Sequence, residues 1–415
     1  MNTNERIGLW IVGAWGGVGT TVAVGLAALQ AGLADETGLT SALPEFSDLD
    51  LLEWSTLTIG GHEIRETTYR AAAAELHRNS NVFTVELLER VGDRLEQFDR
   101  NVRVGTVLNV GPTIESLAAD SARATARETA WATVERIGRD LAEFRQNNGL
   151  DRVLLVNLAS TEPPVPDDRL QALRSLNWDD LERRIRDEQP CPVPASTLYA
   201  AAAMLAGCAY INFTPSLGSD LPALDELARR QRVVHCGRDG KTGETLLKSV
   251  LAPMFAARNL KVLSWVGHNI FGNLDGRVLD DPVNKATKVR SKDHLLQEIL
   301  GYSPQTLVTI EYIESLGDWK TAWDHIHFQG FLGTKMAMQF TWQGCDSLLA
   351  APLVLDLVRF SEREWRRGGC GVQAHLAALF KSPMGTTEAR FAQQFEMLRA
   401  WAADVRRNPQ RSDAS

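Results

Sequence analysis

At 415 residues the chain has room for roughly two to three domains of about 150 residues each. Apolar residues make up 44% and charged residues 23%, which argues against a disordered or fibrous protein, and 52 acidic against 44 basic residues argue against a nucleic-acid surface, which would need a basic stripe. Five cysteines, odd in number and without a CxxC pair, argue against a zinc ribbon or a disulfide framework and fit a reducing, cytoplasmic setting.

Residues 6–12 (RIGLWIV) predict a buried strand, followed by a glycine turn and a helix over about 18–32. Residues 8–34 carry no charge and are long enough to span a bilayer. Glycines at 8, 13, 16, 17 and 19 would weaken a continuous helix there, so the segment is read as strand, turn and helix, and no membrane partner is expected. Residues 55–60 and 103–108 are candidate strands, and 114–146 a long helical stretch. Val153–Leu158 reads as a parallel-type strand, and 195–207 as a helix capped by Ser196 or Thr197. Ala209–Phe213 is a strand, Leu221–Arg232 a helix and Val233–His235 a short strand. This alternation predicts an α/β, doubly wound Rossmann-type domain. From Asp239 the texture changes. A helix over 243–257 precedes strand-like runs at Val262–Val266, Leu307–Tyr312, Trp323–Phe331 and Lys335–Trp342, and a helix resumes at 348–361. The expected organisation is a first domain over 1–240, an inserted α+β unit over 241–345, a return to the first domain over 346–403 and a polar tail over 404–415.

Four groups of residues carry chemistry. Gly13-Ala14-Trp15-Gly16-Gly17-Val18-Gly19 joins a strand to a helix, as a pyrophosphate-binding turn does, although Trp15 stands where the second glycine usually is. A glycine-rich structural turn is the alternative. Glu63 is the candidate ribose-binding carboxylate after the second strand, or a solvated glutamate at a strand end. In Gly237-Arg238-Asp239-Gly240-Lys241-Thr242-Gly243-Glu244-Thr245, residues Thr242, Gly243 and Thr245 can face an anion at a helix start, or simply cap the helix. The segment from His268 to Gly276, with Asn269, Asn273 and Asp275, is too polar for a strand interior and reads as a loop or as a site built from amides. Lys292, Lys320 and Lys381 are scattered lysines that composition alone would leave on the surface. No metal-ligand spacing is present.

In these residues the chain resembles the myo-inositol-1-phosphate synthase family. The resemblance runs from the glycine turn to Lys381 and is most specific in residues 194–216, 237–255, 268–276, 290–292, 317–320 and 345–358. It implies NAD as cofactor, a hexose phosphate as substrate and a homotetramer as the assembly. It implies an isomerase (intramolecular lyase) in inositol biosynthesis and, through it, phospholipid biosynthesis. The reaction oxidises C5 of glucose 6-phosphate, removes a proton from C6, closes the ring by an aldol step and reduces C5 again, giving 1D-myo-inositol 3-phosphate. By the resemblance Lys292, Lys320, Lys381 and Asp275 are catalytic. Gly13, Gly16, Gly17, Val18, Gly19, Glu63, Thr161, Asp239, Asn273, Asp318, Asp346 and Ser347 bind the cofactor. Thr242, Gly243, Thr245 and Asn269 bind substrate.

Two positions depart from the pattern. Leu296 stands where the family has a further active-site lysine, and Glu244 where many members have glutamine. Both point to altered substrate placement, with Lys248 or Lys288 as substitute cations. They leave open a related cyclase, one that turns fructose 6-phosphate into a five-membered cyclitol phosphate. A net NAD dehydrogenase or a non-catalytic NAD-binding protein fits the lysine set less well.

Overall fold

The structure, a computed structural model, describes residues 5–273 and 295–411. A parallel sheet takes β1 (Ile7–Val12), β2 (Leu57–Glu63), β3 (Val102–Val104), β4 (Arg152–Asn157), β5 (Ala209–Asn212) and β6 (Val234–Gly237). A short last strand, Gly371–Val372, adds to β6, giving seven strands in the order last–β6–β5–β4–β1–β2–β3. The chain therefore winds outward from β1 in both directions, and a crevice opens at the carboxyl ends of β1 and β4. Every residue of β1 is buried, because helices cover both faces. Ile7, Leu9 and Ile11 pack on one side with the Gly17–Gln30 helix. Trp10 and Val12 pack on the other with the Ala130–Asn147 and Ala195–Leu205 helices.

Between β6 and the last strand, the chain builds a second sheet from β7 (Lys261–Phe271), β8 (Gln305–Tyr312), β9 (Trp319–Gln329) and β10 (Lys335–Cys345), ordered β10–β9–β7–β8. β7 runs parallel to β8 and antiparallel to β9, which pairs antiparallel with β10. The helix Gly243–Ala257 leads into this sheet, and Asp346–Arg366 leads back. Val354, Leu357, Val358 and Phe360 of the returning helix join the core that holds Ile7, Leu9 and Ile11.

Several expectations are corrected. The stretch 114–146 is not one helix: short turns over Pro112–Ser116, Asp120–Arg123 and Ala124–Arg127 precede Ala130–Asn147, whose start Thr129 caps through a bond from Ala132 N–H. The Ala195–Leu205 helix is preceded by Pro194, and neither Ser196 nor Thr197 caps it. His268–Phe271 belong to β7, so a strand carries the polar residues expected in a loop. The Phe391–Arg407 helix, absent from the sequence reading, extends past the expected start of the polar tail. The uncharged segment after Arg6 is β1, the glycine turn and one helix, and no helix of the described residues is long and apolar enough to cross a membrane.

Candidate active site

A cavity of about 690 Å³ lies where the two sheets face each other. One wall comes from the carboxyl ends of the first sheet: Gly13 after β1, Glu63 at the end of β2, Leu158 after β4, Phe213 after β5 and Asp239 after β6. The opposite wall comes from Asn273, Tyr312, Asp318 and Asp346 of the inserted sheet and its exit. A small recess continues from it, lined by Thr242, Glu244, Thr245, Asn269, Lys320 and Lys381, and it shares Thr242 and Lys381 with the main cavity.

The glycine turn forms the floor. Gly13 has φ +84°, and Gly13 N–H donates to His62 O, which ties the turn to β2. Gly16, Gly17 and Val18 line the cavity at the start of the Gly17–Gln30 helix, whose first turn carries no acidic residue to compete for an anion. Thr20 Oγ1, one turn in, is buried without a hydrogen-bond partner and lines the same floor. Gly19 does not line the cavity. A Cβ there would lie 2.5–2.6 Å from the carbonyl oxygens of Ala14 and Gly13, so this glycine lets the turn fold on itself. The glycine floor, the dipole and the unpartnered hydroxyl fit a dinucleotide pyrophosphate.

Glu63 is buried at the end of β2, but its carboxylate is engaged within the protein. Oε2 accepts from Trp15 N–H (2.9 Å) and Arg65 Nη2 (3.1 Å), and Oε1 from Ile64 N–H (2.9 Å). It braces the turn as well as lining the cavity. Thr161 lines the wall after β4. Beside it Glu162, which the sequence reading passed over, accepts from Ser196 N–H (2.8 Å) and from Ser196 Oγ. Burial pushes its carboxyl up to about 7.

The opposite wall is held by Asp318. Its Oδ2 accepts from Ser347 N–H (3.0 Å) and Cys345 Sγ (2.8 Å), and Asn273 Nδ2 donates to Oδ1 at 3.4 Å. Burial raises the Asp318 carboxyl above the usual range despite these donors. Ser347 therefore supports Asp318 from behind and does not line the cavity. Asp346 lines it, and its N–H donates to Asp318 O. Ser80, at the end of the Tyr69–Ser80 helix, receives Asp318 N–H on Oγ and Trp319 Nε1 on its carbonyl, each at 2.8 Å. No local pattern marks Ser80, because its partners lie more than 230 residues away.

In the recess Lys381 Nζ lies 2.8 Å from Asp239 Oδ1, an ion pair with little exposure. Lys320 Nζ sits 5.1 Å from the centre of the Phe271 ring. Asn269 is fully buried in β7, and neither end of its amide has a hydrogen-bond partner. Thr242 and Thr245 line the recess at the start of the Gly243–Ala257 helix, and the Thr242 side chain makes no capping bond. Gly243, with φ +51°, faces the Trp342 indole instead of the recess. Asp275, Lys288 and Lys292 lie outside the described residues.

The two departures have physical explanations. Leu296 does not line the recess; it packs with Ala252, Phe255, Val262, Trp265 and Ile326 in the apolar core of the inserted unit. Glu244 does line it, but its charge is met by Lys248, whose Nζ is 2.6 Å from Glu244 Oε1 with both side chains buried. Lys248 is committed to that pair and does not replace a phosphate-binding lysine.

Sheet order, glycine floor and cavity together define a dinucleotide-binding α/β protein with a second, cationic compartment. The sequence pattern of myo-inositol-1-phosphate synthase matches residues 7–403. The inositol-3-phosphate synthase 1 of Bacteroides thetaiotaomicron is 34% identical, the match covering 91% of this chain and 90% of that protein. The crystal structure of inositol-3-phosphate synthase from Caenorhabditis elegans superposes with a TM-score of 0.83 at 24% identity, covering 99% of this chain and 88% of that one. A myo-inositol-1-phosphate synthase-related protein from Thermotoga maritima gives 0.77 at 24% identity, covering 96% and 99%. The chain belongs to the myo-inositol-1-phosphate synthase family. It is an enzyme of the isomerase class, and NAD is its cofactor.

Proposed function

We propose that this enzyme converts glucose 6-phosphate to 1D-myo-inositol 3-phosphate by the redox-neutral route: C5 oxidation, enolisation, intramolecular aldol closure and re-reduction. The observation that carries the reading is the recess, where Lys320, Lys381 and the unpartnered Asn269 amide converge beside the dinucleotide cavity. When bound, NAD supplies a hydride acceptor that returns the hydride at the end of the cycle. The chain's own residues do the rest. Thr242 and Thr245, at the start of a 15-residue helix, offer hydroxyl and N–H groups to the phosphate. Lys381, oriented by Asp239, and Lys320, over Phe271, present positive charge to the oxygens on which negative charge grows as the C6 proton leaves and the C1 carbonyl is attacked. Asn269 gives the sugar a donor and an acceptor inside a wall of low dielectric constant. Leu296 packs in an apolar core and does not line the recess, which supports glucose 6-phosphate over a different sugar.

A homotetramer fits the inserted sheet. β10 is an edge strand of 11 residues, and the turn that follows β9 exposes Phe331 and Leu332 at 87% and 86%. A cytoplasmic setting fits the five free thiols. The two walls of the cavity support a division into a cofactor domain and a catalytic insertion. The test is to incubate the purified protein with NAD and glucose 6-phosphate, follow the NADH absorbance and identify the product by NMR. Inositol phosphate should appear without accumulated NADH. Growth of NADH in step with product would replace this reading with a net dehydrogenase.

A further inference from the structure

Glu63, Glu162 and Asp239 line the cavity from the carboxyl ends of the first sheet. Glu63 is paired with Arg65, and Asp239 with Lys381. Among the described residues no cation pairs with Glu162, which is 6% exposed. Its partners are uncharged: Oε1 accepts from Ser196 N–H at 2.8 Å, Oε2 accepts from Ser196 Oγ, and its own N–H donates to Ser216 Oγ at 3.0 Å. Tyr210 on β5 stays a neutral phenol, because burial pushes it well above its ordinary range, and its hydroxyl donates to Ser196 O. The other acidic residues of the cavity, Glu75, Glu314, Asp318 and Asp346, belong to the Tyr69–Ser80 helix and to the inserted sheet and its exit. Ser196 lies in the first turn of the 11-residue Ala195–Leu205 helix, so Glu162 receives the positive end of that helix. The pyrophosphate floor is at the exit of β1 and Glu63 at the exit of β2. A dinucleotide that lays its adenosine half toward β2 lays its nicotinamide half the other way, over the exits of β4 and β5. Glu162 follows β4, and its bond to Ser216 ties it to the loop after β5.

We propose that Glu162 is a redox-tuning residue: its carboxylate faces the nicotinamide half of NAD and favours the cationic, oxidised ring over the neutral, reduced one. This goes beyond the hexose phosphate reading, since it needs NAD in the crevice and no particular sugar. Gain of a hydride converts the pyridinium ring to a neutral dihydropyridine, so a negative charge beside it stabilises the form before transfer and not the form after it. Glu162 thus biases the bound couple toward NAD+, making removal of the hydride from the sugar harder and its return easier. A cofactor that must end each cycle oxidised gains from that bias. A buried carboxyl without a cation is costly to the fold, and the oxidised ring supplies the missing opposite charge.

The test is a competitive titration of the full chain freed of bound nucleotide, with NADH followed by its fluorescence and NAD+ by displacement. It is run at about pH 8, above the value of about 7 to which burial pushes this carboxyl. The quantity read is the ratio of the two dissociation constants. A change that merely loosens the crevice weakens both nucleotides together and leaves their ratio alone. Glu162→Gln keeps an acceptor for Ser196 N–H and removes the charge, and it should shift the ratio roughly 10-fold toward NADH. Glu162→Ala should do the same. Glu162→Asp, which keeps the charge, should hold the ratio near that of the unaltered protein. An unchanged ratio in Glu162→Gln and Glu162→Ala, or an equal shift in Glu162→Asp, overturns the proposal. Failure of the unaltered protein to cyclise glucose 6-phosphate is a different result, which strikes the hexose phosphate reading and leaves this ratio as the measure of Glu162.

Discussion

Asn269 holds a primary amide in a fully buried position with no partner for either end. Such a group lowers stability by about 1–3 kcal/mol, a cost that the substrate proposed above would offset. Asn269→Leu should therefore raise the melting temperature while lowering kcat/KM by roughly 10- to 100-fold, read by thermal denaturation and steady-state kinetics. Glu162 gives a second prediction with a defined sign. Its carboxyl moves from an ordinary 4.5 to about 7 on folding, because burial outweighs the Ser196 donors. The unfolded chain releases this proton first as the pH rises, so the residue's contribution to stability is full below 4.5 and is lost through about 7. Glu162→Gln should raise the melting temperature at about pH 8 and change it little at about pH 4. Asn269 was named as a substrate residue through the family resemblance alone, and Glu162 was not named at all. The polarity of Asn269 suggested a loop, and only the pairing of β7 with β8 and β9 shows a strand whose inner face meets the recess. Glu162 owes its raised carboxyl to burial, and its partner Ser196 arrives on a helix 34 residues later.

The glycine turn and its helix were legible because their signal is local: spacing, dipole and the missing side chains all lie within a few residues. The turn's two kinds of glycine were not separable that way. A Cβ on Gly17 would meet only Asp318 Oδ1 at 3.8 Å and Leu76 Cδ2 at 3.9 Å, whereas one on Gly19 would collide with the turn's own carbonyls. Gly17→Ala should leave the melting temperature unchanged and weaken NAD binding, while Gly19→Val should lower both; fluorescence titration beside thermal denaturation separates them. The strands after Val262 were found, but shorter than they are, because their outer and inner faces carry mixed polarity. Leu296 illustrates the opposite error. The family resemblance placed it at an active-site position, whereas residues 295–300 form a helical segment whose apolar face meets Trp265 and Ile326. The Phe391–Arg407 helix escaped notice because alternating charges mask its apolar stripe, and with it went the partner of the buried Lys241, Gln394.

At the scale of the whole molecule, the inserted sheet has one face on its own core and leaves Leu307, Trp323, Phe331 and Leu332 exposed. The homotetramer proposed above would bury that surface against a second copy. Phe331→Ser combined with Leu332→Ser should shift sedimentation toward smaller species while the monomer's circular dichroism stays the same. The two sheets are also joined at the rim of the cavity by Ser80, which holds the backbone of Asp318 and the indole of Trp319. These bonds tie the end of the Tyr69–Ser80 helix to the start of β9 on the wall of the cavity. A local separation of these walls would then gate the release of a bound dinucleotide. A catalyst that hands its hydride back within each cycle makes no call on the surrounding pool of nicotinamide. For such a catalyst a slow gate is an advantage: labelled NAD should exchange more slowly than the enzyme turns over, and loosening the gate with Ser80→Ala should hasten exchange without changing the redox state in which the cofactor is found.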